Sequence, residues 1–103
     1  MKEKWLSEQL LQKLLDKGLD PKQIRTNPMR MTIKEARNWL YANGFVLDVG
    51  YCTDGQKHYY VEIYRIRLEE KAGATLNLGV KYDTPEEAYI AGIEYCVDKL
   101  IKL

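Results

Sequence analysis

The 103-residue chain is short of the residue types that most catalytic and metal sites need. It has one histidine and two cysteines, and Cys52 and Cys96 lie far apart, without the spacing of metal ligands. It also contains no Gly-rich phosphate loop and no dinucleotide-binding fingerprint. These absences predict a protein that is not an enzyme and that uses no metal and no cofactor.

Strong charge and long apolar runs are absent too. The net charge is +1, so no bulk field attracts nucleic acid or a membrane surface. No apolar run approaches the ~20 residues that a membrane span needs, and the N-terminus lacks the apolar block of a signal peptide. We therefore expect a cytoplasmic protein with reduced thiols and no membrane partner, and nucleic acid is disfavoured as a ligand.

What the chain does contain is a set of periodic apolar segments, with 46% hydrophobic residues. The first segment predicts a helix over residues 3–17 that ends at Gly18. Its apolar stripe consists of Leu6, Leu10, Leu11, Leu14 and Leu15. A short helical turn at Pro21 and a linker around Pro28 follow, so residues 1–31 are interpreted as an N-terminal helical extension. The stripe packs either on its own chain or on a second copy.

Residues 32–103 predict an α-β-β-β-α domain. Thr32 and Glu35 have capping-box spacing and open a helix that ends at Gly44. Three predicted strands, FVLDVGY, HYYVEIYRIRL and ATLNLGV, precede a closing helix that starts at the cap Thr84. The order predicts one compact α+β domain. It has N-terminal helices, a three-stranded antiparallel β-meander and a C-terminal helix packed on one sheet face.

The hairpin register follows from which residues must be buried. Leu47 should lie opposite Val61 or Ile63, which requires a loop of odd length. After Ile63 the apolar positions change from odd to even, which predicts a bulge near Tyr64–Arg65 with Ile66 and Leu68 inside. In the third strand, the residues expected to face inward are Leu76, Leu78 and Val80.

The hairpin carries the residue types that a catalytic or metal site would need. A thiol–imidazole pair would have to join Cys52 to His58, at a turn with no enclosing pocket and no oxyanion hole. A metal could use those two side chains with Asp54 and Glu62, but the spacing matches no structural zinc motif. The interpretation is a surface histidine and a cysteine at the end of a strand.

The strongest binding feature is aromatic and basic. Tyr60, Tyr64, Arg65 and Arg67 are predicted as a recognition surface on the sheet face that the helices leave open. Three interpretations stay open at this point. The tyrosines can be ordinary strand residues, an anchor for a protein partner or a second copy, or a platform for stacking bases.

From Thr32 onward, the predicted order resembles that of the double-stranded RNA-binding domain. The hairpin sequence GQKH at Gly55–His58 is similar to that family's glycine-proline-x-histidine loop, without the proline. The family's lysine cluster at the start of the last helix is replaced by Asp83, Glu86 and Glu87. The resemblance thus implies a similar topology, whereas acidic residues at that position oppose RNA binding.

The segments TIKEARNWLYANGFVLDV and YDTPEEAYIAGIEYCVDKLI resemble small proteins from Bacteroides-type bacteria and their phages. That resemblance covers most of the chain and implies a prophage or mobile-element origin, but it supplies no catalytic or ligand residue. The function predicted is a non-enzymatic domain that binds an unidentified protein partner or forms a homodimer. The alternative is a nucleic-acid-binding domain of similar topology.

Overall fold

The computed structural model describes residues 5–24, 26, 29–53, 55, 57–66, 75–77 and 79–101. Its elements are α1 (Glu8–Asp16), a 3-10 turn (Pro21–Gln23), α2 (Ile33–Ala42), β1 (Phe45–Cys52), β2 (His58–Arg65), β3 (Thr75–Asn77) and α3 (Pro85–Tyr95). Helix α3 continues as a π-helical turn over Cys96–Leu100, where the sequence predicted ordinary α-helix. The predicted α+β class is confirmed.

Helix α1 begins at Glu8, so the prediction of a helix from residue 3 is wrong for residues 5–7; residues 3 and 4 lie outside the described residues. Ser7 caps the helix, because its hydroxyl accepts a hydrogen bond of 3.1 Å from the Leu10 N–H. Before the cap the chain is extended, with Trp5 in an isolated β-bridge to Thr32. At the other end Gly18, with φ of +110°, follows the helix as predicted.

The sheet is antiparallel, and its strands lie in the order β1-β2-β3. Leu47 is opposite Ile63 and Val49 is opposite Val61, which confirms the predicted hairpin register. The connecting loop spans residues 53–57 and is therefore of odd length. As a result, the odd-numbered residues of β1 and β2 lie on one face and the even-numbered residues on the other.

The bulge predicted near Tyr64–Arg65 is wrong. The ladder continues unbroken to the pair Phe45 and Arg65, and beyond it the Ile66 N–H donates a hydrogen bond of 2.7 Å to the Gly44 carbonyl. Ile66 is consequently not inside but 45% exposed. The continuous backbone hydrogen bonds keep the strand in phase although the apolar pattern of the sequence changes. Leu68 lies outside the described residues.

The third strand does not extend to Gly79 and Val80 as predicted. Thr75–Asn77 pair with β2, and Ala74 and Leu78 lie outside the described residues. Val80 was predicted to face inward, yet it is 50% exposed. The chain turns at Gly79, with φ of +71°, and returns to β2 at Tyr82. There the Tyr59 and Tyr82 backbones exchange hydrogen bonds of 2.8 and 3.0 Å. This turn takes Val80 out of the strand and away from the core.

The core lies between the helices and the odd-numbered face of the sheet. Helix α2 packs on β1, and α3 crosses both β1 and β2. Gly92 permits the close approach of α3, since a Cβ there would lie 3.0 Å from Val61 Cγ2 and 3.1 Å from Leu47 Cδ2. The largest completely buried side chains are Leu14, Leu40, Val61, Ile93, Cys96 and Val97.

The leucine stripe of α1 belongs to the same core, so this helix docks on its own chain. Leu10 and Leu14 join the apolar cluster that contains Val97. Beside them Lys13 Nζ lies 3.1 Å from Asp98 Oδ2, and this hydrogen bond raises the pKa of Lys13. Among the described residues, no helix combines the length and the apolar character needed to cross a membrane.

Candidate binding surface on the open sheet face

The face of the sheet opposite the helices is made by the even-numbered residues of β1 and β2, and we call it the open face. Within the described ranges, α2 and α3 pack on the other face. The residues of the open face are Val46, Asp48, Gly50 and Cys52 on β1 and His58, Tyr60, Glu62 and Tyr64 on β2. It therefore carries both tyrosines of the predicted recognition surface.

Tyr60 packs against the neighbouring strand because the residue opposite it, Gly50, has no side chain. Its register partner is Gly50, and a Cβ built there would overlap the Tyr60 Cζ and Oη atoms and lie 2.8 Å from Cε1. The ring thus occupies the volume that a side chain at position 50 would fill. Glycine in a strand often marks such a close approach. Tyr60 stays half-buried, with the remainder of its ring open to solvent.

Tyr64 is fixed through its hydroxyl group. The Tyr64 O–H donates a hydrogen bond of 2.9 Å to Glu62 Oε2 on the same face of β2. The hydrogen bond to this carboxylate stabilises the neutral phenol and raises the pKa of Tyr64, and the Asp48 carboxylate adds to the effect. The ring is half-buried. Both tyrosines of the open face are therefore held in place and partly accessible.

Two carboxylates meet at the centre of the open face. Asp48 on β1 is directly opposite Glu62 on β2, and side chains of directly opposite residues on one sheet face are neighbours. Asp48 is exposed and Glu62 is half-buried. The negative charge between the two tyrosine rings opposes the approach of a phosphate backbone and favours a cationic group.

Arg65 does not join the tyrosines, which corrects the predicted surface. Because the ladder has no bulge, Arg65 lies on the helix-side face, with its guanidinium carbon 5.7 Å from the centroid of the Phe45 ring. Arg67 lies outside the described residues. The structure thus brings together Tyr60 and Tyr64 but separates Arg65 from them. The error arose because the apolar pattern after Ile63 predicted a change of phase.

The candidate catalytic pair lies at the hairpin end of the open face. Cys52 and His58 are register partners, so the structure brings them to adjacent positions. Neither cysteine forms a disulfide. Across the described ranges, no three His, Cys, Asp or Glu side chains converge in a way that could hold a metal ion. Asp54, the remaining residue of the hypothetical metal set, is outside them.

A row of tyrosines on the helix-side face was not predicted as a unit. Tyr51 and Tyr59 are register partners, with ring centroids 4.7 Å apart, and Tyr82 pairs with Tyr59 on the far side. Burial raises the pKa of Tyr82, whereas Tyr51 is 46% exposed. Sequence alternation places Tyr51 and Tyr59 on one face. The pairing of Tyr82 depends on the turn at Gly79, which has no strong sequence signal.

Comparison of the chain with protein-family models, with curated proteins and with solved structures found no match. The function is therefore inferred from the side chains of the open face and from their charges. The resemblances to the double-stranded RNA-binding domain and to the small Bacteroides-type proteins stay predictions.

Proposed function

We propose that the protein is a non-enzymatic, cytoplasmic binding domain that holds a protein partner on the open face of its sheet. The observation that carries this proposal is the pair of half-buried tyrosines, Tyr60 and Tyr64, on a face that the described helices leave uncovered. Tyrosine is one of the residue types that most often anchor protein interfaces. The resemblance of the helices to small phage and Bacteroides-type proteins supports a role in a mobile element.

The two rings are held in place before any partner arrives. Tyr60 fills the space above Gly50, and the Tyr64 hydroxyl is bonded to Glu62. A side chain whose rotamer is already fixed loses less conformational entropy on binding, a cost of about 0.5–1.5 kcal/mol for each mobile side chain that is immobilised. This pre-organisation favours the open face as a recognition surface over a random exposed patch.

The negative charge of the open face favours one class of protein partner. The Asp48 and Glu62 carboxylates lie between the tyrosines, so a partner that presents lysine or arginine meets both opposite charge and aromatic rings. A second copy stacked face to face would bring the same carboxylates together, at an electrostatic cost. A basic protein partner is therefore favoured over both self-association and nucleic acid.

The test is capture from a lysate of the source cells, treated with nuclease, on immobilised wild-type protein and on three variants. Tyr60→Ser and Tyr64→Ser alter the open face, and Tyr51→Ser removes an exposed tyrosine from the helix-side face as the matched control. We expect basic proteins to be retained by wild type and Tyr51→Ser, and to fall at least tenfold with the other two variants. Equal capture by all four proteins would overturn the proposal.

Two further measurements distinguish the alternatives. Light scattering behind size exclusion, at low and high protein concentration, should show a monomer for wild type. A dimer that Tyr60→Ser dissociates would overturn the basic-partner assignment in favour of self-association. Fluorescence anisotropy with a duplex RNA should show no binding at low salt, and binding that weakens steeply with added salt would support the nucleic-acid alternative.

A further inference from the structure

The outer edge of β1 is a second surface with unused hydrogen-bonding groups. β1 is the first strand in the order β1-β2-β3, and no other segment in the described part of the chain pairs with it. The bond from the Ile66 N–H to the Gly44 carbonyl shows that even-numbered residues of β1 bond to β2. Phe45, Leu47 and Val49 must then direct their N–H and C=O groups outward, away from β2.

Beside this edge, α2 and β1 enclose a groove of about 270 Å³. Helix α2 contributes Lys34, Arg37, Asn38 and Tyr41, and β1 contributes Phe45, Val46 and Leu47. The groove runs along the first half of the strand, where the outward backbone groups of Phe45 and Leu47 lie. An edge strand with a helix beside it provides hydrogen bonds on one side and side-chain contacts on the other, which suits an added strand.

The groove is positively charged. Its lining has two cationic side chains, Lys34 and Arg37, and no carboxylate. Lys34 is exposed, and the Arg37 guanidinium carbon lies 4.2 Å from the centroid of the Tyr89 ring, which fixes its position on α2. The Arg37 guanidinium therefore lies beside the outward N–H groups of β1. An extended chain that pairs with these groups can place a carboxylate on the guanidinium.

We propose that β1 binds an acidic peptide segment as an additional antiparallel strand, with a glutamate or aspartate side chain of that segment held in the groove by Lys34 and Arg37. The backbone of the segment bonds to the outward groups of Phe45, Leu47 and Val49. This site shares only Val46 with the open face and takes a ligand of opposite charge, so its test is independent of the proposed function.

A second copy of the chain could in principle use the same edge, with β1 pairing to β1. That arrangement would leave the positive charge of both grooves without a carboxylate, since β1 carries its only acid, Asp48, on the open face. An acidic peptide satisfies the backbone and the charge together. The experiment separates these occupants.

The probe is an acetylated and amidated eight-residue peptide in which glutamate alternates with threonine, added to the ¹⁵N-labelled full chain. We expect the amide signals of Phe45, Leu47 and Val49 to shift with saturation, and those of Val46 and Asp48 to move less. The same peptide with lysine in place of glutamate should bind at least tenfold more weakly. A glutamate peptide that is N-methylated at each glutamate should not bind, because the glutamate N–H groups are the ones that face β1 in the proposed pairing.

Lys34→Glu should weaken binding of the glutamate peptide at least tenfold, whereas Lys22→Glu, an exposed residue of the 3-10 turn, should leave it unchanged. Lys34 is in the first turn of α2, where a carboxylate is favourable, so the variant keeps its fold. Val49→Pro removes one outward N–H without removing a bond to β2, and it should abolish binding.

The proposal is overturned if the edge amides do not shift at millimolar peptide, or if the N-methylated peptide binds equally well. It is also overturned if the lysine peptide binds as tightly as the glutamate peptide. Edge amides that shift with protein concentration alone, and cease to do so in Val49→Pro, would assign the edge to a second copy instead. If Val49→Pro does not fold, the N-methylated peptide alone decides the question of strand pairing.

Discussion

Gly50→Ala provides a test of how Tyr60 is positioned on the open face. A methyl group at position 50 would overlap the far end of the Tyr60 ring and would lie 2.8 Å from its Cε1 atom. The obstacle is the end of a side chain that can rotate, so the ring should move aside while the backbone stays. The substitution should therefore displace a binding residue without unfolding the sheet.

The expected change in stability is small because two terms oppose each other. Replacing glycine by alanine within a strand stabilises the fold by about 0.5–1 kcal/mol through the entropy of the unfolded chain. Moving the Tyr60 ring away uncovers apolar surface on the scale of one CH₂ group, which costs about 0.8 kcal/mol. We expect the unfolding free energy of Gly50→Ala to lie within about 1 kcal/mol of wild type.

Two assays check the two parts of this reasoning. Urea unfolding followed by circular dichroism measures stability, and proton NMR measures the ring position. In wild type, the Gly50 Hα protons should show contacts with the Tyr60 ring protons and the altered shifts of nuclei next to an aromatic ring. In Gly50→Ala these contacts should disappear, and capture of a basic partner should weaken as in Tyr60→Ser.

The reasoning would be refuted in either of two ways. A loss of more than about 2 kcal/mol would show that the backbone, and not the ring, gives way, since overpacking costs of 1–3 kcal/mol arise when neighbours cannot move. Ring contacts that persist at position 50 would show that the ring was never above it.

Gly92→Ala should lower the free energy of urea unfolding by about 1 kcal/mol, because overpacking of about 1–3 kcal/mol exceeds the helix-propensity gain of about 1 kcal/mol; a stabilised variant would contradict the packing described for α3. Burial raises the pKa of the Cys96 thiol to about 12, so in a Cys52→Ser background Ellman's reagent should modify Cys96 only as fast as the protein unfolds. Because the pKa is raised by folding, the Cys96 thiol of the unfolded chain loses its proton at a lower pH than the thiol of the folded protein. The stability advantage of wild type over Cys96→Ala should therefore be complete below pH 9 and shrink as the pH rises towards 12, and a constant difference would argue against burial of the thiol.

The parts of the fold that were predictable from sequence are those set by local chemistry. The Thr32 and Glu35 capping box is present, with the Glu35 N–H bonded to Thr32 Oγ1 at 3.1 Å and the Thr32 N–H bonded to Glu35 Oε1 at 3.0 Å. The hairpin register was predictable because a shift of one residue would expose Leu47 and Ile63. In both cases one short segment contains all the residues that decide the outcome.

The wrong predictions concern positions whose structure is set by contacts with segments distant in the sequence. Ser7 was missed as a cap because the apolar pattern extends to Leu6, whereas in the structure Leu6 donates its N–H to the Met31 carbonyl at 2.8 Å. Arg65 was assigned to the wrong face because the apolar pattern after Ile63 predicts a change of phase. In the structure, the hydrogen bond from the Ile66 N–H to the Gly44 carbonyl keeps the strand in phase.

The candidate site was predictable in part for the same reason. Alternation alone places Tyr60 and Tyr64 on one face of β2. The absent side chain at Gly50 and the groove beside Lys34 depend on how separate elements approach each other, and no local pattern indicates them. Sequence therefore predicted which aromatic residues face outward, and the structure added how they are held.

The bridge between Trp5 and Thr32 gives the N-terminal third of the chain a particular topology. The polypeptide leaves this point, forms α1 and the 3-10 turn, and returns to the same point to start α2. Residues 6–31 thus form a closed excursion whose two ends are joined by this bridge. Local opening of this excursion would therefore break no pair between β1, β2 and β3.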